Sequence, residues 1–297
     1  MVSPQKIDCT AIIGVGLIGG SFGMAMKKRG LTSRVVGIGR SPERLQHAVE
    51  LGAIDSWSTE LESGVRDADL VYVSTPVGLE MDFIRRVILV AKPGSVITDA
   101  GSTKREICDG VDAVARDDVS FVGGHPMAGS EATGVGAARP DLFVNAAYVL
   151  TPTDRTNPEA LAVVRSLVEA IGSRVIVMDP ESHDKCAAIV SHLPHVIAAA
   201  LVSLAKSHSL QDPRVFDLIA GSFRDMTRVA GSSPVLWRDI CLTNADAIRD
   251  AARNFEQLLH EGLTLIESGD ADAFEDWFGR AKQVRDSFLP NKENPRP

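Results

Sequence analysis

Residues 14–19 read Gly-Val-Gly-Leu-Ile-Gly, directly after the β-branched run Thr10 to Ile13 and directly before an apolar helical pattern through Phe22 and Met26. Alone, a GxGxxG is a weak signal. Between a strand and a helix it constrains the backbone closely. The first glycine, Gly14, allows a tight turn, the second, Gly16, lets a diphosphate approach the main chain, and the third, Gly19, lets helix and strand pack together. The helix that opens at Leu17 and Ile18 then turns unpaired N–H groups and its positive dipole end toward the anion. A dinucleotide at the first turn of an α/β sheet is the expectation.

Further strand-like runs recur at Arg34 to Ile38, Leu70 to Ser74, Ser95 to Thr98, Ser120 to Val122, Ala146 to Leu150 and Arg174 to Val177. Helical patterns and turn signals separate them, which predicts a mostly parallel sheet with helices on its faces. The second strand ends Gly37-Ile38-Gly39-Arg40-Ser41, without the carboxylate that usually holds the ribose of NAD. Arg40 and Ser41 suit a 2′-phosphate, so NADP is favoured. NAD stays open if Arg40 stacks on adenine or is solvated. Ser74, Thr75 and Pro76, past the third run, are further cofactor contacts expected at the sheet edge.

After Asp179 the strands stop. Glu181 to Ser207 is apolar almost all round and reads as a buried helix, with a kink or break near Pro194. Helices are predicted over Pro213 to Val229 and Pro234 to Ile266, and a last one, marked by Phe274 to Phe288, follows the break at Ser268-Gly269-Asp270. The expected architecture is an α/β Rossmann-type N-terminal domain, residues 1–178, followed by an all-α C-terminal dimerisation domain, residues 179–290. A disordered tail covers 291–297. So much apolar helical surface points to a homodimer.

The formal net charge of −8 argues against nucleic acid or an anionic membrane as partner, and leaves a small anionic substrate that meets local positive charge. No apolar run stands out as long enough to cross a bilayer, and Met1 to Thr10 lacks the apolar core of a signal peptide. Four cysteines, Cys9, Cys108, Cys186 and Cys241, form no CxxC pair and read as buried small hydrophobes in a reducing compartment, the cytoplasm.

Two polar segments follow strands, where ligands of open α/β sheets lie. One is Asp99-Ala100-Gly101-Ser102-Thr103-Lys104; the other is Gly124-His125-Pro126-Met127-Ala128-Gly129-Ser130-Glu131. His125 is the acid–base candidate, because imidazole exchanges a proton near neutrality. His192 and His195 form an HxxH, but no HExxH exists, and they read as pocket or core histidines rather than ligands of a metal. His183-Asp184 reads as a helix cap or pocket feature.

Gly-His-Pro-Met-Ala-Gly at 124–129, Asp-x-Gly-Ser at 99–102, Ser191-His192-Leu193-Pro194-His195, and Arg228 with Gly231-Ser232-Ser233-Pro234-x-x-Trp237 occur in this order. With the glycine loop, the set resembles the prephenate/arogenate dehydrogenase family over about residues 10 to 288. The resemblance implies that His125 takes the proton of a ring hydroxyl as hydride leaves the same carbon. It implies that Ser102 orients His125 and the nicotinamide side, and that Arg228 binds a substrate carboxylate. Ser191, His192 and His195 would line the substrate pocket, Glu131 would order its mouth, and Ser232 and Trp237 would be its neighbours. It does not discriminate prephenate from arogenate. The glycine loop starts so early that no mutase domain is expected before it, nor a sizeable regulatory domain after Phe288.

Two other classes compete. A β-hydroxyacid or imino-acid dehydrogenase would use Lys185 or Lys206 as its helical lysine, and would leave the His125 and Arg228 segments without a role. A non-catalytic nicotinamide-binding protein would need the glycine loop but not His125.

Overall fold

The computed structural model describes residues 6–129 and 132–288. The tail expected at 291–297, and Glu131, lie outside the described residues. Eight strands form one sheet: β1 (Ile7–Ile13), β2 (Thr32–Ile38), β3 (Ser56–Ser58), β4 (Leu70–Val73), β5 (Val96–Asp99), β6 (Ser120–Pro126), β7 (Ala147–Thr151) and β8 (Arg174–Val177). Their spatial order is β3-β2-β1-β4-β5-β6-β7-β8. Every neighbouring pair is parallel except β6 with β7. The order reverses between β1 and β4, and a crevice outside the strand ends at such a switch point is where these folds take ligands.

Alternation along the strands makes the two faces of the sheet. In β1, Ala11 and Ile13 belong to one buried cluster and Ile12 to the other; in β4, Val71 and Val73 oppose Leu70 and Tyr72. Helix α1 (Leu17–Lys28) covers one face, where Phe22 stacks on Tyr72 at 3.9 Å between ring centroids. Helices α3 (Leu61–Val65), α4 (Val77–Val90) and α5 (Arg105–Asp112) cover the other. Helix α2 (Pro42–Glu50) follows β2, and α6 (Pro158–Ala170) packs on β6 and β7.

Several expectations need correction. The strand expected at Ser120 to Val122 runs on to Pro126, so His125 lies inside β6, paired with Val149, rather than in a loop beyond it. Gly123 and Gly124, which resemble turn residues in the sequence, are in the strand because larger side chains would not fit; a Cβ on Gly124 would lie 2.7 Å from the Asp99 carbonyl oxygen. Second, β3 was not foreseen, because three residues with two polar serines give no alternation to detect.

Third, Pro180 to Ser209 is helical but not buried all round. It comprises α7 (Pro180–Ala187), a π-helical turn (Ala188–His192) and α8 (Leu193–Ser209). The turn ends two residues before Pro194, which has no N–H to continue the helical ladder, so the expected irregularity is present. Yet Ile189, Val190 and Leu204 are 62%, 67% and 65% exposed. The run is also long and apolar enough to cross a membrane by length and composition, contrary to the sequence expectation. Joining two helices through the irregular turn creates that length, and an all-round apolar helix cannot show from sequence which side is covered.

The segment expected as a helix over Pro213 to Val229 holds 3₁₀ turns around a short α9 (Gly221–Thr227). The next predicted helix is broken at Asn244 into α10 (Pro234–Thr243) and α11 (Ala245–Ser268). Contacts divide the chain into two compact units, one reaching to Ala247 and one starting at Ile248. Within the second, Gly269 turns the chain at φ +69° into α12 (Ala271–Phe288), and Gly262 admits the Trp277 ring of that helix.

Candidate active site

Three glycines meet three different surroundings. Gly14 has φ +89°, and a Cβ there would lie 2.6 Å from the Ser74 carbonyl oxygen. A Cβ on Gly19 would overlap Gly14 O and Ser74 Oγ and lie 2.9 Å from the Ile12 side chain, whereas one on Gly16 would meet nothing within 4 Å. The loop is therefore tight below and open above Gly16. No side chain caps α1 at Gly16, so its first N–H groups from Leu17 and Ile18 onward suit a diphosphate.

Ser74 braces the loop by donating to Gly14 O at 2.8 Å and Ile13 O at 3.2 Å. Thr75 Oγ1 is buried with no partner among the described residues, and Pro76 opens α4. Arg40 is exposed beyond β2. Ser41 caps α2 by accepting from Arg44 N at 3.3 Å, and donates to the Glu43 carboxylate at 2.7 Å. A carboxylate thus stands near the ribose end of the site although residues 37–41 hold none.

Beside this loop, β5 and β6 carry a buried ion pair. Lys104 Nζ donates to Asp99 Oδ2 and, at 2.9 Å, to Gly124 O; Asp99 Oδ1 accepts Gly124 N at 2.9 Å, and Oδ2 accepts Gly101 N at 2.9 Å. Burial opposes the charge on Lys104, but Asp99 and Glu80 outweigh it and raise the ammonium above its ordinary value. Glu80 is itself pushed well up by burial and by the Asp99 charge. One ion pair thereby clamps both backbone groups of Gly124, the residue before His125.

His125 is buried at the end of β6. Its Nδ1 is 2.8 Å from His183 Nε2, and His183 Nδ1 is 2.8 Å from Asp184 Oδ1. Asp184 also accepts Lys104 N at 2.7 Å and Arg105 N at 3.0 Å, the first amides of α5. Burial pushes the Asp184 carboxyl up, but the bonds from His183, Arg105 and Lys104 hold it below the ordinary range. Burial, then the neighbouring His183, Lys104 and His192, press His125 well below the ordinary imidazole value. His125 is consequently neutral and able to accept a proton.

Of the two readings of His183-Asp184, helix cap or pocket feature, the cap is not formed: α7 is capped by Asp179, which accepts Ser182 N at 2.8 Å, and His183 lies against His125. A His-Asp dipeptide one turn into the first helix after the last strand was the available signal. The bond to His125 expected of Ser102 is absent among the described residues; Ser102 is half-buried in the turn after β5, and His183 occupies the imidazole nitrogen instead.

Asn244, unmarked in the sequence, continues the array. Its Nδ2 donates to Asp184 O at 2.8 Å and to His192 Nδ1 at 3.1 Å. Burial lowers His192 to about 4, and its Nε2 has no partner among the described residues. The His192 ring meets Trp237 edge-on, and His195 stacks on the same indole at 3.5 Å between centroids. His195 Nδ1 donates to Ser191 O at 2.8 Å. His195, Trp237 and Ser232 line a cavity of ≈ 420 Å³ together with Val229, Pro234 and Cys241. Arg228, exposed, immediately precedes Val229 in this wall. The cavity is within the usual size of a small-ligand pocket.

A glycine loop at a sheet switch point, a buried neutral histidine and an adjoining histidine-tryptophan pocket thus occur in one unit. Residues 22–177 match the family described as prephenate dehydrogenase, nucleotide-binding domain, and residues 179–280 match prephenate dehydrogenase, dimerization domain. The chain belongs to the prephenate dehydrogenase family. It is 39% identical to a prephenate dehydrogenase of Bacillus subtilis strain 168, over 96% of this chain and 77% of that protein. The crystal structure of prephenate dehydrogenase from A. aeolicus in complex with hydroxyphenyl propionate and NAD+ superposes with a TM-score of 0.90 at 32% identity, covering 96% of this chain and 99% of that one. The Synechocystis arogenate dehydrogenase structure gives a TM-score of 0.82 at 30% identity, covering 95% and 100%. Membership makes the chain a nicotinamide-dependent oxidoreductase.

Proposed function

We propose that the chain oxidises and decarboxylates prephenate or arogenate, with His125 as the base. The observation that carries this reading is a buried, neutral imidazole beside an open glycine loop and a ligand-sized pocket. Held by the glycine loop, a nicotinamide dinucleotide would supply the hydride acceptor for the ring carbon that bears the hydroxyl. His125 receives the hydroxyl proton, and loss of the ring carboxylate as CO2 yields the aromatic ring. Aromatisation supplies the driving force, so the protein's task is alignment and one proton transfer.

Arg228 binds a substrate carboxylate, since a guanidinium presents a fork of donors. Ser191, His192, His195, Ser232 and Trp237 shape the pocket, and Ser102 lines the nicotinamide side. Gly14, Gly16, Leu17, Ile18, Gly19, Ser74, Thr75 and Pro76 hold the dinucleotide. Arg40 favours NADP; a second reading, NAD, rests on the Glu43 carboxylate held by Ser41. Residues 1–178 serve the cofactor, and 179–290 serve the substrate and a homodimer, in the cytoplasm.

The test is the initial rate of nicotinamide reduction with prephenate and with arogenate, each paired with NAD and NADP. A rate in one pairing is expected, and the best pair identifies substrate and cofactor. No rate in any pairing, from folded protein that binds the dinucleotide, would overturn the reading.

A further inference from the structure

We propose that His183 and Asp184 are positioning residues that keep the proton of neutral His125 on Nδ1 and so leave its Nε2 lone pair as the base. The role as base rests on the reaction proposed above; the tautomer does not. The reasoning runs from the carboxylate outward. Asp184 accepts two backbone N–H groups of α5 and, as an ionised carboxylate, can only accept from His183 Nδ1 at 2.8 Å. His183 Nδ1 therefore carries a proton. Where that is the one proton His183 carries, its Nε2 is an acceptor, and the His125 nitrogen 2.8 Å away must be the donor. Only Nε2 of His125 remains to take a proton, and it has no partner among the described residues.

The same array tempers the charge that forms in the reaction. As the substrate O–H bond breaks and the Nε2–H bond forms, His125 becomes an imidazolium in a buried site already facing the Lys104 ammonium. Asp99 neutralises that ammonium across an ion pair, burial and the Asp99 charge work against ionisation of Glu80, and the His192 ring offers no anion. Asp184, reached through His183, is the anion available to the new cation. Orientation and charge compensation by a buried carboxylate behind a catalytic histidine are established physical roles for such an arrangement. His183 and Asp184 need no contact with substrate to exert them.

Two measurements test the proposal. The first is the ¹⁵N shift pattern of the His125 ring in the unliganded wild-type protein, which needs neither substrate nor a variant. A proton on Nδ1 and a lone pair on Nε2 are expected; a proton on Nε2 overturns the proposal whatever the substrate proves to be. The second compares pH profiles of turnover for Asp184→Asn, His183→Phe and His183→Gln, whose amide oxygen can replace the lost acceptor. Asp184→Asn and His183→Phe are expected to lower turnover roughly a hundred-fold with KM within about two-fold, and His183→Gln to recover part of the loss. The acid limb of the Asp184→Asn profile is expected at lower pH, because the His125 cation loses its counter-charge. Unchanged turnover and profile in folded Asp184→Asn would overturn the positioning role. Wild-type protein inactive on prephenate and arogenate would instead defeat the reaction reading, with the ring tautomer still deciding the other.

Discussion

The strands and the helices from Pro180 to Thr243 use apolar residues in opposite ways. Ile12, Val35, Leu70 and Ile97 are fully buried within the sheet and its covering helices. In the helical stretch, Leu204, Leu218 and Leu242 are at least 65% exposed, and the described buried residues include His183, Asp184 and His192. The sheet satisfies its own hydrophobic requirement inside one chain. The helices invert the usual order, burying a polar array and presenting apolar surface outward, which is the composition of an interaction surface.

Breaking that contrast begins with the chemistry. His125→Asn keeps a strand residue but removes the base, and turnover should fall roughly 10²- to 10⁴-fold with KM nearly unchanged in steady-state kinetics. An equal rise in KM would mean that β6 contributes binding rather than proton transfer. Arg228→Ala tests the helical side: KM should rise about ten- to hundred-fold, from loss of roughly 1.5–3 kcal/mol of charge-assisted bonding, with turnover largely kept.

The glycine loop sharpens the comparison inside the sheet. Gly19→Ala should cost about 1–3 kcal/mol in denaturant unfolding, because its Cβ meets Gly14 O, Ser74 Oγ and Ile12. Gly16→Ala enters open space and should change stability by less than about 0.5 kcal/mol while weakening dinucleotide affinity in titration calorimetry. Equal destabilisation by both would remove the distinction between packing glycine and ligand glycine.

Leu204→Asp addresses the exposed helices. It should shift sedimentation toward the monomer and leave the monomer fold within about 0.5 kcal/mol, since this side chain is 65% exposed among the described residues. An unchanged oligomer would place the interface elsewhere. The smallest effect is on pH-dependent stability. His192 is held neutral down to about 4, so below the unfolded imidazole value, roughly 6.5, the unfolded chain binds a proton that the folded chain refuses. Stability should therefore decline as pH falls from roughly 6.5 to about 4, and His192→Gln should flatten that slope in pH-resolved melting. His125, pressed down in the same direction, should keep activity at pH values where a solvated imidazole is already protonated.

Much of this was legible in the chain. The glycine loop, the strand positions and the candidate His125 depend on local rules, namely tight turns, β-branched alternation and polar residues past strand ends, which neighbouring residues suffice to reveal. The continuation of β6 through His125 was not legible, because Gly123-Gly124 has the composition of a turn, and only pairing with β7 makes it strand. Arg40 and Ser41 read as carboxylate-free, yet folding α2 brings Glu43 onto Ser41. Asn244 showed nothing of its importance, and Lys104 and Asp184 showed only their place in polar segments, since each works through partners twenty to eighty positions away.

By itself the sequence determined the class of fold, the cofactor loop and, through the order of its motifs, the family. Those are properties of short windows and their succession. Tertiary structure alone decided that Asp184 acts through His183 on His125, that Lys104 and Asp99 clamp Gly124, and that the apolar helix exposes one side. Hydrogen bonds of 2.7–3.0 Å and burial depend on which distant segments meet, and no periodicity along a chain encodes that meeting.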